Sequence, residues 1–265
     1  ANMQTDKVTV SFGEKENSQS LGVRLDAGYK VIEYRMENGV ETPVEVGYTR
    51  VRDFSENGVM VQPIIVNRDF ELGDQMKEYP KRGWQASLKL GTGSLALGDE
   101  SFLFTPQVRL SLDHNLGQYS GIPALSEFYG SLSGFFNPVG VTPTSAVTGQ
   151  PSVTSGGFEA GFHKKFYIRQ LILTLGLRGG LMFGNLSRSG ETFNQSVVGG
   201  TAFGGIHYQL TPDFIVGLDG GWSFFPSVEA NKISSTWKST DTKTTTFPAL
   251  SSSGPLLNVF INAEF

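Results

Sequence analysis

The segment Leu256-Leu257-Asn258-Val259-Phe260-Ile261-Asn262-Ala263-Glu264-Phe265 decides the fold of this chain. Apolar residues stand at every second position, namely Leu257, Val259, Ile261, Ala263 and Phe265. Polar residues take the alternate positions Asn258, Asn262 and Glu264. Because successive side chains of a strand leave opposite faces, this pattern predicts a strand with one apolar and one largely polar face. Two structures fit it: the half-buried last strand of a soluble sandwich, or a strand that borders lipid.

Composition narrows the class of protein. The 265 residues include 33 Gly, 20 Phe and no Cys, and 17% are charged, against about 25% in average proteins. The lack of Cys excludes disulfides and thiolate metal ligands. The net charge of −4 shows no overall excess of basic residues of the kind that binds nucleic acid. No apolar run reaches the roughly 18 residues of a membrane helix. Such a composition is typical of a membrane β-barrel, in which only alternate residues are apolar.

Charge density divides the chain near residue 82. The first 82 residues contain 14 acidic and 11 basic residues, which leaves 11 acidic and 10 basic residues for the other 183. This fall in the density of charged residues lies beside the turn-like segment 79–83. We therefore predict a charged, β-rich N-terminal region over 1–82 and a barrel over 83–265. The start at Ala1 fits a mature N-terminus from which a signal peptide has been cleaved.

The N-terminal region has the turn signals of a small meander. Asn38-Gly39 and Asn57-Gly58 favour hairpin turns, because both central residues of a type I′ turn need positive φ. The predicted strands are 21–36, 40–54 and 58–70, with a further candidate at 8–12.

Eight alternating segments follow the boundary, and each is near the roughly 9–11 residues that a tilted membrane strand needs. They are 84–97, 102–114, 126–137, 157–168, 171–184, 198–210, 213–226 and 255–265. The connections 169–170 and 211–213 are short, whereas 138–156 and 227–254 are long. Short turns on one side and long loops on the other are typical of outer-membrane barrels. The short connection 98–101 and the long connection 115–125 depart from this rule.

Strand parity predicts which side chains face lipid and which face the lumen. Apolar residues such as Phe102, Phe104 and Leu110 should face lipid. A charge facing lipid at the midplane costs about 2–4 kcal/mol, so the charged residues should face inward; Lys164 breaks this parity. An eight-stranded barrel is filled by its own side chains, and buried charges need partners, so we expect a paired ionic plug. The predicted lumenal ionic network is Lys89, Arg109, Asp113, Glu127, Glu159, Arg178, Asp219 and Glu264.

The segment 83–265 resembles the small outer-membrane barrels of the outer-membrane protein A and X type in its number of strands, in its alternation of short turns and long loops, and in its last strand. The resemblance is architectural and rests on no motif of one named protein. It implies an all-β, antiparallel, up-and-down transmembrane barrel of eight strands, placed among the lipids of the bacterial outer membrane. It also implies a barrel-assembly signal, read by the barrel-insertion machinery, at Leu257, Val259, Ile261, Ala263 and Phe265.

Three alternatives stay open. A twelve-stranded barrel that includes the four N-terminal strands would have a wider lumen and act as a pore or transporter for small solutes, although the charge density argues against it. A lipid-modifying enzyme is less favoured. The lipid A deacylase barrels carry a Ser two residues after a His, whereas this chain has Gln209 two residues after His207. The palmitoyltransferase barrels carry a His on their external loops, and the long loops of this chain contain no His. A soluble β-sandwich is the third.

The expected function is that of a non-enzymatic outer-membrane anchor or scaffold. Residues 1–82 would lie in the periplasm and bind protein partners, because the lumen and the lipid face of the barrel are both occupied. We expect no catalytic residue, no metal, no cofactor and no nucleic-acid partner. His114, His163 and His207 lack the close spacing of a metal site.

Overall fold

The computed structural model describes residues 8–11, 22–55, 58–71, 73–97, 100–141, 152–188, 191–226 and 250–265. The strands in these residues are β1 (Val8–Ser11), β2 (Gly28–Glu37), β3 (Val40–Ser55), β4 (Gly58–Val66), β5 (Gln75–Tyr79), β6 (Trp84–Leu97), β7 (Glu100–Asn115), β8 (Phe128–Val141), β9 (Ser152–Ile168), β10 (Leu171–Arg188), β11 (Glu191–Gln209), β12 (Phe214–Phe225) and β13 (Leu250–Glu264). A short helix α1 (Leu116–Ser120) and a 3₁₀ turn (Pro123–Leu125) lie between β7 and β8. Within the described part of the chain, no helix has the length and hydropathy needed to cross a membrane.

Strands β6 to β13 close into an antiparallel barrel in chain order. The barrel closes where β13 pairs with β6, so that Val259 lies opposite Leu90 and Ile261 opposite Leu88. The predicted up-and-down barrel of eight strands is therefore confirmed. The twelve-stranded alternative was wrong, because β1 to β5 form a separate five-stranded sheet.

Several barrel strands are longer than their apolar alternation predicted. Strands β8 and β9 reach into the expected loop 138–156, because their pairing continues from Asn137 and Ser155 to Val141 and Val153. Strand β13 likewise begins at Leu250, inside the expected loop 227–254. The remainder of these two loops, 142–151 and 227–249, lies outside the described residues.

A bulge in β7 changes the facing of one predicted lipid contact. The register shifts so that Gly93 pairs with Thr105 but Leu95 pairs with Phe102. Leu103 and Phe104 are both exposed, and Phe104 has a positive φ of 64°. Leu103 and Phe104 lie opposite Ser94 alone, and this one extra residue reverses the parity of the strand, so Phe102 packs against an interior cluster instead of facing lipid.

The outer surface of the barrel is an apolar belt. Its exposed side chains include Leu88, Leu90, Leu110, Leu112, Leu132, Phe158, Phe162, Phe166, Leu173, Leu175, Leu177, Ile206, Leu218, Trp222, Leu257, Val259 and Ile261. A closed barrel pairs its strand backbones and has no free edge, as the hydrocarbon of a bilayer requires. Closure and belt together are the architecture of bacterial outer-membrane barrels, so the predicted fold and its location in that membrane are confirmed.

The N-terminal sheet has the strand order β1-β4-β3-β2-β5. The meander of β2, β3 and β4 matches the prediction, and Asn38 and Gly39 have the positive φ values of 54° and 81° expected of the turn. Strand β2 begins at Gly28 instead of near residue 21. Strand β5 was missed because Gln-Met-Lys-Glu-Tyr has no apolar alternation. Asn57 and Phe12 lie outside the described residues.

One face of this sheet covers the end of the barrel at which β6 begins and β13 ends, which we call the capped mouth. Tyr48 and Ile64 of the sheet pack there in one cluster with barrel residues that include Tyr167, Ile172 and Ile215. The opposite face of the sheet buries its own cluster, which contains Val51 and Val61. The other end of the barrel is called the far mouth. The sheet therefore lies across the capped mouth as a lid.

The placement of the apolar belt can be tested with two substitutions. Leu177 is 54% exposed near the middle of the belt, and Leu210 is 51% exposed beside the capped mouth. We expect Leu177→Arg to lower the free energy of unfolding in a bilayer by about 2–4 kcal/mol, and Leu210→Arg by about 0–1 kcal/mol, because the cost of a guanidinium falls toward the interface. Denaturant unfolding of the protein in lipid vesicles measures both. Equal losses at the two positions would contradict this placement.

Candidate functional site

Arg50 enters the capped mouth from β3. The residue is only 1% exposed. Its Nη1 donates to Oε1 of Glu127 at 2.9 Å, and its Nη2 donates to the carboxylate of Glu264. The ring of Tyr167 lies 5.3 Å from the guanidinium carbon. Burial alone would lower the pKa of Arg50, but the two carboxylates raise it well above its ordinary value, so the residue is a fixed cation.

Alternation along β3 directs the neighbouring side chains to the same place. Tyr48, Arg50 and Arg52 lie two residues apart and therefore share the barrel face of the sheet. Arg52 donates to Oδ1 of Asp26 at 2.8 Å and also to Glu127. Glu127 is thus shared by two arginines of one strand, which joins the sheet to the start of β8.

Asp26 connects the residues before β2 to the barrel. Its Oδ1 accepts from the hydroxyl of Ser126 at 2.6 Å. Its Oδ2 accepts from the backbone N–H of Glu127 at 2.7 Å and from Asn115 at 3.1 Å. Burial and the nearby negative charge of Glu127 raise the pKa of Asp26, while Arg52 opposes them. This carboxyl therefore ties the sheet to both ends of the β7–β8 connection.

Further bonds attach the sheet to the turns of the capped mouth. The Tyr79 hydroxyl donates to Oδ2 of Asp213 at 2.7 Å, and this bond raises the pKa of Tyr79 to about 12. Lys81 donates to the carbonyl of Pro212. Burial lowers the pKa of Lys81, against the attraction of Glu264. The lid is therefore held at the β11–β12 turn as well as at Glu127.

The structure places all eight predicted network residues inside the barrel or its capped mouth, and each is buried. Six of the eight form three separate groups. Glu127 and Glu264 bind Arg50, as described above. Lys89 pairs with Oδ2 of Asp219 at 2.5 Å, and Arg109 pairs with Glu159.

Two members of the predicted network are not in an ion pair. Among the described residues, Asp113 and Arg178 form no salt bridge, and the guanidinium of Arg178 lies instead 4.1 Å from the centre of the Phe203 ring. Lys165, which the prediction left out of the network, donates to Gln85 below the ring of Tyr129. That these groups act together as a plug stays a prediction.

His207 lies in a hydrogen-bonded chain within the lumen. Its Nε2 is 2.8 Å from Oδ1 of Asp219, and its Nδ1 is 3.2 Å from Oγ1 of Thr174. A carboxylate, an imidazole and a hydroxyl in this order resemble a nucleophilic triad. However, all three side chains are buried, and Asp219 is already paired with Lys89. The three side chains therefore lie inside the barrel wall, covered by other lumenal side chains.

The other two histidines are separate from this chain. His163 stacks on Tyr129 inside the barrel, with ring centres 5.1 Å apart. His114 lies beside Trp84 at the capped end of the barrel, with ring centres 4.3 Å apart. Within the described ranges, no group of His, Asp and Glu side chains has the arrangement of a metal site.

An apolar cluster fills the lumen toward the far mouth. Its buried members are Leu95, Leu97, Phe135, Val153, Met182, Val197, Phe225 and Leu250. The aromatic rings of Phe135 and Phe225 face each other across it, with centres 6.1 Å apart. The prediction missed this cluster because it expected polar residues at every inward position. Adjacent apolar pairs such as Met182-Phe183 and Phe224-Phe225, which mark strands buried on both faces, were the available signal.

The predicted barrel-assembly residues lie on the outer face of β13. Leu257, Val259, Ile261 and Phe265 are exposed and Ala263 is half-buried, whereas Asn258, Asn262 and Glu264 are buried on the lumenal side. Recognition of this face by the insertion machinery stays a prediction.

Removal of Arg50 tests the attachment of the lid. We expect Arg50→Ala to lower the free energy of unfolding by about 3–5 kcal/mol, because it leaves two carboxylates buried without their partner. Arg35→Ala is the matched control: Arg35 pairs with Glu33 on the exposed part of β2, and an ion pair in water contributes little to stability. Denaturant unfolding and limited proteolysis of the full chain measure both. Equal effects of the two variants would contradict a central role for Arg50.

Comparison with known proteins finds similarity at the level of the fold. No protein-family model and no curated protein matches the sequence. Among solved structures, the chain is similar to Neisserial surface protein A (TM-score 0.46, 12% identity, 71% of this chain and 100% of that chain). It is also similar to Ail, the attachment invasion locus protein of Yersinia pestis (0.40, 12%, 69% and 98%), and to the N-terminal β-barrel domain of Pseudomonas aeruginosa OprF (0.37, 11%, 70% and 100%). The predicted resemblance to small eight-stranded outer-membrane barrels is confirmed for the fold by the closed barrel itself.

Proposed function

We propose that this outer-membrane barrel is a non-conducting, non-enzymatic anchor that holds its N-terminal sheet at the periplasmic surface of the membrane, where the sheet binds protein partners. The observation that carries the proposal is that buried side chains occupy the lumen near both mouths. The sheet and Arg50 cover one mouth, and the cluster around Phe135 and Phe225 fills the lumen toward the other.

The middle of the lumen supports the same conclusion. The pairs Lys89–Asp219 and Arg109–Glu159 lie in the lumen between these two ends. A hydrated ion would have to separate paired charges in a narrow space, which would leave buried charges without partners. An eight-stranded barrel has little other room, because its interior is just wide enough for its own side chains.

The periplasmic side is assigned from the turns. The capped mouth carries the tight turns 169–170 and 211–213 and both ends of the barrel. Outer-membrane barrels direct their short turns to the periplasm. The lid at this mouth therefore belongs to the periplasm, where residues 1–82 meet soluble proteins of the cell envelope.

The sheet offers partners a charged face. On the side away from the barrel, Glu33 and Arg35 of β2 are paired at 2.8 Å, and Glu37 is exposed beyond them. Strands β1 and β5 are the two edges of the sheet. The barrel surface faces lipid and its lumen is filled, so the sheet is the described surface best suited to a soluble partner.

A hydrolytic function is not favoured. The chain of Asp219, His207 and Thr174 has the polar groups of a triad, but a substrate cannot reach it through either closed mouth. We assign it to the internal packing of the lumen, where the imidazole also contacts the ring of Phe260 edge-on at 4.4 Å.

Planar-bilayer recording tests the closed lumen. We expect no steady channels from the purified full chain, because two closures and the ion pairs lie in series along the lumen. Heat-modifiable gel mobility of the same preparation serves as the control for a folded barrel. Reproducible unitary conductance from such a preparation would overturn the anchor proposal and favour a pore.

Cysteine labelling tests the periplasmic position of the lid. The chain has no Cys of its own, so a Glu37→Cys variant reports only on the sheet, and Ser101→Cys reports on the far end of β7. In intact cells, we expect a membrane-impermeant thiol reagent to modify Ser101→Cys, and to modify Glu37→Cys only after the outer membrane is opened. The reverse pattern would place the lid outside the cell.

A further inference from the structure

The hairpin of β2 and β3 extends beyond the rest of the N-terminal sheet. Strand β5 pairs with β2 only over residues 28–32, and β4 pairs with β3 only from Gly47 onward. The segments 33–37 and 40–44 pair only with each other. We call this two-stranded extension, residues 33–44, the arm. An isolated two-stranded hairpin is marginally stable in water, so a further contact would stabilise the arm.

The even-numbered residues of β2 lie on the face that covers the barrel. Gly28 is in contact with the ring of Tyr48, which occupies the space where a Cβ of residue 28 would stand. Lys30 lies over the ring of Tyr79 at 4.7 Å and pairs with Glu45 at 2.8 Å. By alternation, Ile32, Tyr34 and Met36 continue the same face outward along the arm.

The arm passes the edge of the barrel at the level where the apolar belt begins. Tyr79 is bonded to Asp213 in the β11–β12 turn, and Leu210 and Phe214 on either side of this turn are exposed belt residues. A strand rises about 3.3 Å per residue, so Met36 lies about 20 Å beyond Lys30. The barrel face of the arm is therefore turned toward the bilayer, outside the barrel wall.

The side chains of this face suit a lipid surface. Tyr34 is 46% exposed and Met36 is 71% exposed, and Pro43, the cross-strand partner of Tyr34, is exposed as well. At the base of the arm, Lys30 lies directly opposite Lys77 of β5. Glu45 already offsets the charge of Lys30, so Lys77, which is exposed, is the cation of this cross-strand pair that would meet the phosphate of a lipid headgroup.

We propose that the arm rests on the periplasmic leaflet of the outer membrane, with Tyr34, Met36 and Pro43 among the lipid headgroups and with Lys77 facing lipid phosphates. The occupant of this face is lipid instead of a protein, because the face is continuous with the belt of the barrel across the β11–β12 turn. The inference rests on the proposed anchoring of the barrel with its lid at the membrane surface.

Single cysteines test the proposal in the full chain. The variants are Met36→Cys and Pro43→Cys on the barrel face of the arm, Glu37→Cys on the opposite face, and Val259→Cys in the belt. Each is labelled with an environment-sensitive fluorophore and inserted into vesicles of phosphatidylethanolamine and phosphatidylglycerol, with or without nitroxide lipids that carry the spin label on the headgroup, for the arm positions, or midway along the acyl chain, for Val259→Cys. Pro43→Cys keeps Tyr34 and Met36 in place, so it reports even if the change at Met36 weakens the contact.

We expect the nitroxide lipid to remove most of the fluorescence at Met36→Cys and Pro43→Cys, together with a blue shift, and to leave Glu37→Cys nearly unchanged. Quenching at Val259→Cys without quenching at both arm positions would overturn the proposal while the anchor stands. Equal quenching at Glu37→Cys and Met36→Cys would also overturn it, because the arm would then have no lipid-facing side. No quenching at Val259→Cys would overturn both proposals, because the barrel would not lie in the bilayer.

Discussion

The structure depends on one buried guanidinium. Arg50 is held between Glu127, which precedes β8, and Glu264, at the end of β13. A buried charge is stable only with close partners of opposite sign, and here the arginine belongs to the N-terminal sheet while both carboxylates belong to the barrel. If the arginine were absent, the two carboxylates would lie in the mouth with no cation between them. If the barrel were absent, the arginine would lie unpaired on the sheet. Lid and barrel therefore stabilise each other, and Asp26, Arg52 and the aromatic rings of Tyr48 and Tyr167 surround the same contact.

Different kinds of contact occupy the lumen along its length. Ion pairs and aromatic rings lie at the capped mouth, paired charges lie in the middle, and packed apolar side chains lie toward the far mouth. Charges in the middle satisfy one another where water is scarce, whereas the apolar cluster excludes water without needing partners. A barrel so filled offers its neighbours only its outer surface and its lid, which is why anchoring fits the molecule better than transport.

The N-terminal sheet meets two environments. Its barrel face carries Arg50 over the mouth and Tyr34 and Met36 beyond the wall, whereas its other face carries the exposed pair of Glu33 and Arg35. Burial is therefore uneven along β2, whose first residues are covered and whose last residues are open. Strand alternation, which separates lipid from lumen in the barrel, separates membrane from water in the lid.

Alternation with period two is a local property, and it was enough to predict the eight barrel strands, the outer face of β13 and the inward facing of Lys89, Arg109 and Asp219. The boundary near residue 82 was predicted from a different property, the change in charge density along the chain. The alternation could not show that a bulge turns Phe102 inward. It could not show that β5 joins the sheet by backbone pairing, or that apolar residues collect in the lumen near the far mouth. Nor could it predict that Arg50 enters the barrel, because its partners Glu127 and Glu264 lie 77 and 214 residues away. The sequence by itself determined which strands form and which of their faces is apolar, whereas only the tertiary structure decided what closes the barrel, because those contacts join residues that no local pattern relates.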